Sequence, residues 1–315
     1  MQSVMILIAF LLIVFTPLPD LGFEYTAFLD ITAFRTLNNL LPSDVLWIQI
    51  AAAALLLSTG FLFNNLLIRH ELIPKQSLFL LVIFSGFLLV KDNSTSPVVL
   101  LAVTLLLLNT LVNIFRMYSE HQAYARVLNA TISLSFASLI VPQAIVFMFF
   151  VWFGFFTLRI ATWREWVISL IGLMVPYFYY AVYLFLTDGL LDELERYYMF
   201  FMNFRINYSV SSSLDYAVIA VLVLILIFSI GGFISDTGER VIAIRKKMWL
   251  NLHFFWVVLV AMFLSGQAAG FWLPLALLPL SQFMTHLIVY RRKSWIFDIL
   301  FFVFIALVLF LRIGI

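Results

Sequence analysis

"LNATISLSFASLIVPQAIVFMFFVWFGFFTLR", residues 128–159, holds a Pro-Gln pair, Pro142-Gln143, in the middle of an apolar run that covers 127–158. A helix crossing the hydrocarbon of a bilayer needs about 20 apolar residues, with a range of roughly 17–25. The run is too long for one crossing and suits two. Proline has no backbone N–H and turns the residue before it away from helical geometry, so a helix should stop at Val141. The stretch is therefore predicted to be two spans, 127–141 and 143–158, joined by a tight hairpin. That decision sets the direction of every later span.

Outward from this hairpin, similar runs recur along the whole chain. Candidate spans are 2–18, 45–68, 76–90, 97–115, 127–141, 143–158, 166–187, 214–234, 250–266, 270–289 and 295–313. The run 250–289 divides at Gly266-Gln267-Ala268-Ala269-Gly270. The composition agrees, with 64% hydrophobic and 11% charged residues, where globular chains have about half and about a quarter. The expected fold is an all-α integral membrane protein of about eleven transmembrane helices. The first run has the length of a signal peptide. Its leading Met-Gln-Ser has no basic residue and no small-x-small site follows Phe15, so it is predicted to be a retained span. Net charge is +2, and without a basic tract or stacking motif no nucleic-acid partner is expected. Cysteine is absent, which excludes disulfides and thiolate metal sites.

Charge tests the count. With the N-terminus cytoplasmic and the C-terminus outside, the inside loops carry Arg69, Lys75, Arg116, Arg126, Arg159, Arg164, Arg240, Arg245, Lys246, Lys247, Arg291, Arg292 and Lys293. The outside connections carry Arg35, Lys91, Arg196, Arg205 and Arg312. Excess Lys and Arg marks the cytoplasmic side. One misplaced span would scramble this alternation.

Two substantial segments then lie outside, 19–44 and 188–213. In the first, Phe23, Ala27, Ile31 and Phe34 form one stripe of a helix over 23–35, flanked by Glu24 and Asp30. In the second, Leu191, Leu194, Tyr198 and Phe201 form an apolar stripe over 190–204, and Asp192 and Arg196 have the i, i+4 spacing of an ion pair. Both are predicted to be amphipathic helices lying in the interface. Each acid here has two roles open to it, the solvated edge of a loop or a catalyst. Arg196 and Arg205 likewise suit an ion pair, a lipid headgroup or a substrate phosphate.

The spans have almost no ionisable residue at mid-depth, which counts against an ion-coupled transporter. Asp215 and Asp298 fall in first turns, where the helix N-terminus favours an anion. Asn109 and Asn113, at i, i+4, suit hydrogen bonds between helices. His70, His121, His253 and His286 all fall near the cytoplasmic edge without metal-ligand spacing, so no metal site is predicted from them. No phosphate-binding loop, dinucleotide fingerprint or nucleophile elbow is present.

The quoted hairpin is followed by a short turn with Arg159 and Trp163-Arg164, and then by "WREWVISLIGLMVPYFYYAVYLFLTDGLL", a span with a Pro176-Tyr177 pair before an outer segment. Together these resemble the core of the type-C glycosyltransferase (GT-C) fold, over about residues 1–213. The chain also resembles an uncharacterised polytopic inner-membrane protein family of Bacteroidota. The GT-C resemblance implies a seven-helix module over 1–213, with a four-helix membrane region over 214–315. It implies a multi-pass protein of the bacterial inner (cytoplasmic) membrane that moves a sugar from a polyprenyl-phosphate donor to an acceptor on the periplasmic side. In such enzymes the loops after the first and seventh spans face the active site, and the two long outer segments fall there. The implied catalytic acid is Asp30, then Glu24, then Asp20. Asp20 follows Pro17-Leu18-Pro19 and also suits a helix cap. Arg196 and Arg205 are the implied lipid-phosphate-binding residues. No resident cofactor is expected, although a divalent metal assists the acid in some members. The implied partners are membrane lipids and a polyprenyl-phosphate-linked sugar. In the family's first loop two acids are adjacent, whereas here none are. The chain therefore equally suits a non-catalytic role as a lipid-binding scaffold, an assembly subunit or a flippase-like carrier.

Overall fold

A computed structural model describes residues 32–39, 45–73, 97–118, 120, 122–160, 162–202, 224, 226–227, 229–238, 240–265 and 272–290. The predicted spans 2–18, 76–90 and 295–313, and most of 214–234, lie outside the described residues. So do Asp20, Glu24, Asp30 and Arg205.

The described residues are helical, with no strand among them. The helices are α1 (Thr32–Asn39), α2 (Val45–Arg69), α3 (Pro97–Met117), α4 (Tyr124–Ile140), a 3-10 turn (Pro142–Val146), α5 (Phe147–Leu158), α6 (Trp163–Leu186), α7 (Leu190–Met202), α8 (229–237), α9 (Ile242–Ser265) and α10 (Leu273–Tyr290). Four helical stretches are long and apolar enough to cross a membrane: Ile50–Arg69, Val98–Met117, Trp163–Leu186 and Ile242–Ser265. α4, α5 with its 3-10 lead-in, and part of α10 are apolar and shorter.

The hairpin forms as the quoted stretch predicts. Val141 leaves the helix in an extended conformation (φ −131°, ψ 100°), Pro142 starts the 3-10 turn, and α5 follows directly. α5 runs back along α4, because Gly154 near its C-terminus sits against Ile114, close to the end of α3, and Leu250 of α9. The ends of α2, α3 and α5 thus gather with the starts of α4, α6 and α9. Lys247 meets His70 there, His70 lies edge-on to Phe115, and Trp166 packs among Trp152, Phe155 and Phe156. This is the basic end. At the far end, Tyr197 reaches Leu139, Tyr177 reaches Ser138, and Trp272 stacks on Phe147.

Three helices stop in the same way. Glu71, Arg159 and Asp188 take left-handed φ values of 58°, 62° and 55°. Each is followed by an N–H that reaches back six residues inclusive, Leu72 to Leu67, Ile160 to Phe155 and Gly189 to Leu184. This closure satisfies carbonyls that the last turn leaves open.

α4 lies at the centre, with α3 on one side and α6 on the other, α2 beyond α3, and α5 packed on α9. Its buried face is rich in Thr and Ser: Thr131, Ser133, Ser135 and Ser138. The facing side of α6 buries Ser169, Gly172 and Pro176. Among lipid tails apolar burial does not draw helices together, so close backbone approach and interhelical hydrogen bonds take over. Ser135 donates to the Leu173 carbonyl at 2.7 Å, and Asn109 donates to Ser133 at 2.7 Å. Asn109 therefore bonds between helices as predicted, while Asn113 donates back within α3 to Asn109. Large apolar side chains of α5 and α6 point outward at Phe149, Phe153, Phe156, Met174, Phe178 and Phe185. The α4–α6 seam is thus small and polar, while the rest of the interior is largely apolar, with Phe63, Phe115, Phe147, Phe150 and Phe254 fully buried.

Two boundaries differ from the predicted ones. α9 begins at Ile242 and not at 250, so Arg245, Lys246 and Lys247 lie on its opening turns and not in a loop. Lys and Arg are good helix formers, and an apolar-run criterion stops short at them. His253 accordingly sits well inside α9, stacked on Phe153 at 5.1 Å. In the first outer segment, helix is described from Thr32 to Asn39, past the predicted end at 35, and Ala33 packs against the core.

Candidate functional site at the corner of α6 and α7

Thr187, Asp188 and Gly189 turn the chain at the end of α6, and the Gly189 N–H closes onto Leu184. The turn folds α7 back against the far end of α6 and brings Tyr197 onto α4. α7 is amphipathic, as its sequence predicts, and its burial shows which face meets the protein. The apolar stripe faces away, with Leu191 79%, Leu194 58% and Tyr198 59% exposed. Glu193, on a flank beside that stripe, is 2% exposed.

Glu193 is in the first turn of α7, where the helix dipole favours an anion. Tyr180 donates from its hydroxyl to Glu193 Oε1 at 3.0 Å, and Arg196 Nη1 donates to Glu193 Oε2 at 3.3 Å. One turn of helix along from Glu193, Tyr197 donates to the Leu139 carbonyl at 3.0 Å. Burial raises the Tyr197 phenol above its ordinary range, with the neighbouring Tyr177, Tyr180 and Glu193 acting in the same direction. Tyr177 donates to Ser138 at 3.0 Å. Gln143, in the hairpin turn at this end, is buried with its Oε1 lacking a hydrogen-bond partner among the described residues.

The corner thus holds one buried carboxylate, three tyrosines and a half-buried guanidinium. Glu193 fixes the direction of Arg196, and a guanidinium so fixed is suited to an oxyanion, since its donors form a rigid fork. The carboxylate is engaged by Tyr180 and Arg196. Among the described residues no three His, Asp or Glu side chains gather in a metal-binding group.

Of the residues singled out from sequence, Arg196 is in this corner. Asp20, Glu24, Asp30 and Arg205 lie outside the described residues. The i, i+4 spacing picked Asp192 as the partner of Arg196, whereas the bond the structure shows runs from Arg196 to Glu193 at i, i+3, and Asp192 is exposed. Glu193, Tyr180 and Tyr197 were missed. Glu193 and Tyr197 are four residues apart on one flank of the wheel beside the apolar stripe, which is the signal that could have found them.

Fold and composition together define a helical membrane protein with several apolar helices. Within that class, the chain belongs to a family of unknown function, DUF6427, whose model matches residues 22–314. No curated protein and no solved structure matches the chain.

Proposed function

We propose that the protein is a GT-C-like glycosyltransferase of the bacterial inner membrane, moving a sugar from a polyprenyl-phosphate donor to an acceptor hydroxyl on the periplasmic side. In this reading the chain crosses the membrane eleven times, with its basic end cytoplasmic. Residues 1–213 form the catalytic module and 214–315 a four-helix support. The observation that carries the reading is the orientation of α7. The helix that follows α6 exposes Leu191, Leu194 and Tyr198 and turns Glu193 and Tyr197 into the bundle. An interfacial helix with its apolar face to lipid and its polar face to the protein is suited to line a site for a lipid-linked substrate.

The acceptor oxygen would form a bond to the anomeric carbon as the bond from that carbon to the phosphate oxygen breaks. Asp30, or Glu24 or Asp20 in its place, would take the hydroxyl proton. The leaving polyprenyl phosphate would keep the bonding electron pair, with Arg196, held by Glu193, and Arg205 binding its phosphate. No step requires a metal.

The test uses the full chain in lipid nanodiscs with labelled polyprenyl-phosphate sugars, and it follows release of polyprenyl phosphate. Asp30→Asn and Glu24→Gln should reduce turnover at unchanged protein level. Silence of both sinks the catalytic reading. A second reading, a non-catalytic scaffold or carrier, is favoured by the outer half of α6, where Phe178, Tyr179 and Phe185 are 66%, 69% and 70% exposed. Such a face suits a partner helix as well as lipid. That reading requires co-purification of a partner and full tolerance of both acid substitutions.

A further inference from the structure

Three helix ends meet at the basic end, and they bring several cations together. α2 ends in Arg69 and His70, α3 in Arg116 and Tyr118, and α9 opens with Arg245, Lys246 and Lys247. The nearby acids among the described residues are Glu71 and Glu120, and Glu120 is bound to Arg126 at 2.8 Å.

The cations are held in place by contacts between the helices. Lys246 Nζ and Lys247 Nζ both lie 5.4 Å from the centre of the Tyr118 ring, a cation–π distance. Lys247 Nζ is 2.9 Å from His70 Nδ1. A charged ammonium has only donors, so His70 Nδ1 accepts and the ring proton sits on Nε2. Burial, together with Lys247, Arg116 and Arg69, lowers the His70 pKa from 6.5 to about 4. His70 is thus a neutral acceptor that anchors a lysine. Like charges gathered where water is partly excluded repel more strongly than in bulk, and an anion relieves that repulsion.

The level of the cluster identifies the anion. The candidate spans of α2 and α3 end at Arg69 and Met117, and Arg245, Lys246 and Lys247 lie in the first two turns of that of α9, so the charges gather at one end of these helices, the level at which headgroups are expected. Beside them Val241, Ile242 and Trp249 are 71%, 59% and 37% exposed. An apolar rim next to fixed ammonium groups matches a molecule that has a phosphate and acyl chains.

We infer that Lys246 and Lys247, set on Tyr118 and His70, form a binding site for the phosphodiester of an anionic phospholipid from the adjoining leaflet. This role is separate from the α6–α7 corner, at the opposite end of the bundle, and does not depend on any glycosyl transfer.

The test is lipid retention on the delipidated full chain, read by native mass spectrometry during titration with phosphatidylglycerol or phosphatidylcholine. Wild type should retain phosphatidylglycerol in preference. Lys246→Gln/Lys247→Gln should weaken that retention about 30-fold, the worth of two interfacial cations. Arg159→Gln/Arg164→Gln, at the same end outside the cluster, should leave it nearly unchanged. Inorganic phosphate alone, at equal concentration, should not compete. Equal retention of the two lipids, an unchanged double lysine variant, an equal loss in the arginine pair, or full competition by inorganic phosphate would each overturn the site. If the lysine variant fails to fold, the salt dependence of the wild type decides. Retention should fall steeply at high ionic strength, and a salt-independent preference refutes the ionic site.

Discussion

Gly172→Ala is a single-methyl change at a close approach of α4 and α6. A Cβ built at Gly172 overlaps Thr131 Oγ1 and would lie 3.1 Å from Thr131 Cβ and 3.2 Å from the Leu128 carbonyl. The hydroxyl cannot swing aside cheaply. It donates to the Val127 carbonyl at 2.9 Å and to that of Leu128 at 3.2 Å, and rotating a β-branched side chain brings its methyl toward the space the oxygen leaves. The helices must separate instead, which stretches the Ser135–Leu173 and Tyr177–Ser138 bonds on the same seam. Overpacking costs about 1–3 kcal/mol, and each weakened interhelical bond adds on the order of 0.6 kcal/mol. The expected loss is about 2–4 kcal/mol. Gly231→Ala is the control. Nothing lies within 4 Å of its built Cβ, and Ala at a helical position should gain about 0.5–1 kcal/mol. Unfolding in mixed micelles at rising SDS fraction, followed by tryptophan fluorescence, measures both. Thr131→Ala in the Gly172→Ala background should recover part of the loss, because the oxygen is removed while the 3.1 Å Cβ contact remains. A Gly172→Ala protein as stable as wild type, or strict additivity with Thr131→Ala, refutes the close approach.

Acid should weaken the fold through His70. With the folded pKa near 4 and the ordinary value 6.5, the unfolded chain takes up the proton first. Stability is therefore full above pH 6.5 and is lost as pH falls toward 4. His70→Gln should flatten that part of the profile in a micelle unfolding series, and an unchanged slope would contradict it. Asn251 and Gln282, both buried and bonded across α9 and α10, should behave as a unit. Either single change to Leu should cost about 1–3 kcal/mol by stranding its partner, and the double change should cost less than the sum; equal costs in sum and double would show that they do not interact. Because the chain has no cysteine, single reporters need no background removal. Thr162→Cys should be labelled only from the cytoplasmic side and Asp192→Cys only from the periplasmic side; labelling of both from one side would overturn the proposed orientation.

The hairpin was legible because proline acts locally. Pro142 removes a donor and constrains Val141 whatever surrounds it, and the extended Val141 follows. The α3–α4 contact was legible in part, since an amide in an apolar span has few other uses, and Asn109 finds Ser133. The start of α9 was misplaced because a search for apolar runs does not count Arg245, Lys246 and Lys247, although a helix holds them easily. The bond from Arg196 to Glu193 was not legible for a different reason. The spacings of Asp192 and Glu193 both permit a bond to Arg196, and what favours Glu193 is Tyr180, on another helix. No periodicity within α7 contains that information.

The position of α7 also bears on how to distinguish a site from a solvated loop edge. Had α7 merely covered the bundle, its leucines would have gone inward and Glu193 outward, as in a water-soluble protein. In lipid the leucines gain nothing by turning in, so their exposure is expected and proves little. The orientation of Glu193 is the informative part. A carboxylate 2% exposed loses its hydration, and that loss is offset only by partners placed for it. Tyr180, Arg196 and the start of α7 supply them, at 3.0 and 3.3 Å and through the helix dipole. A loop acid with no task would have stayed in water, as Asp188, Asp192 and Glu195 do on either side of it. For the proposed transfer, the place to look is where Glu193 holds Arg196, and the sharpest question for the acids of 19–44 is whether one of them faces that arginine.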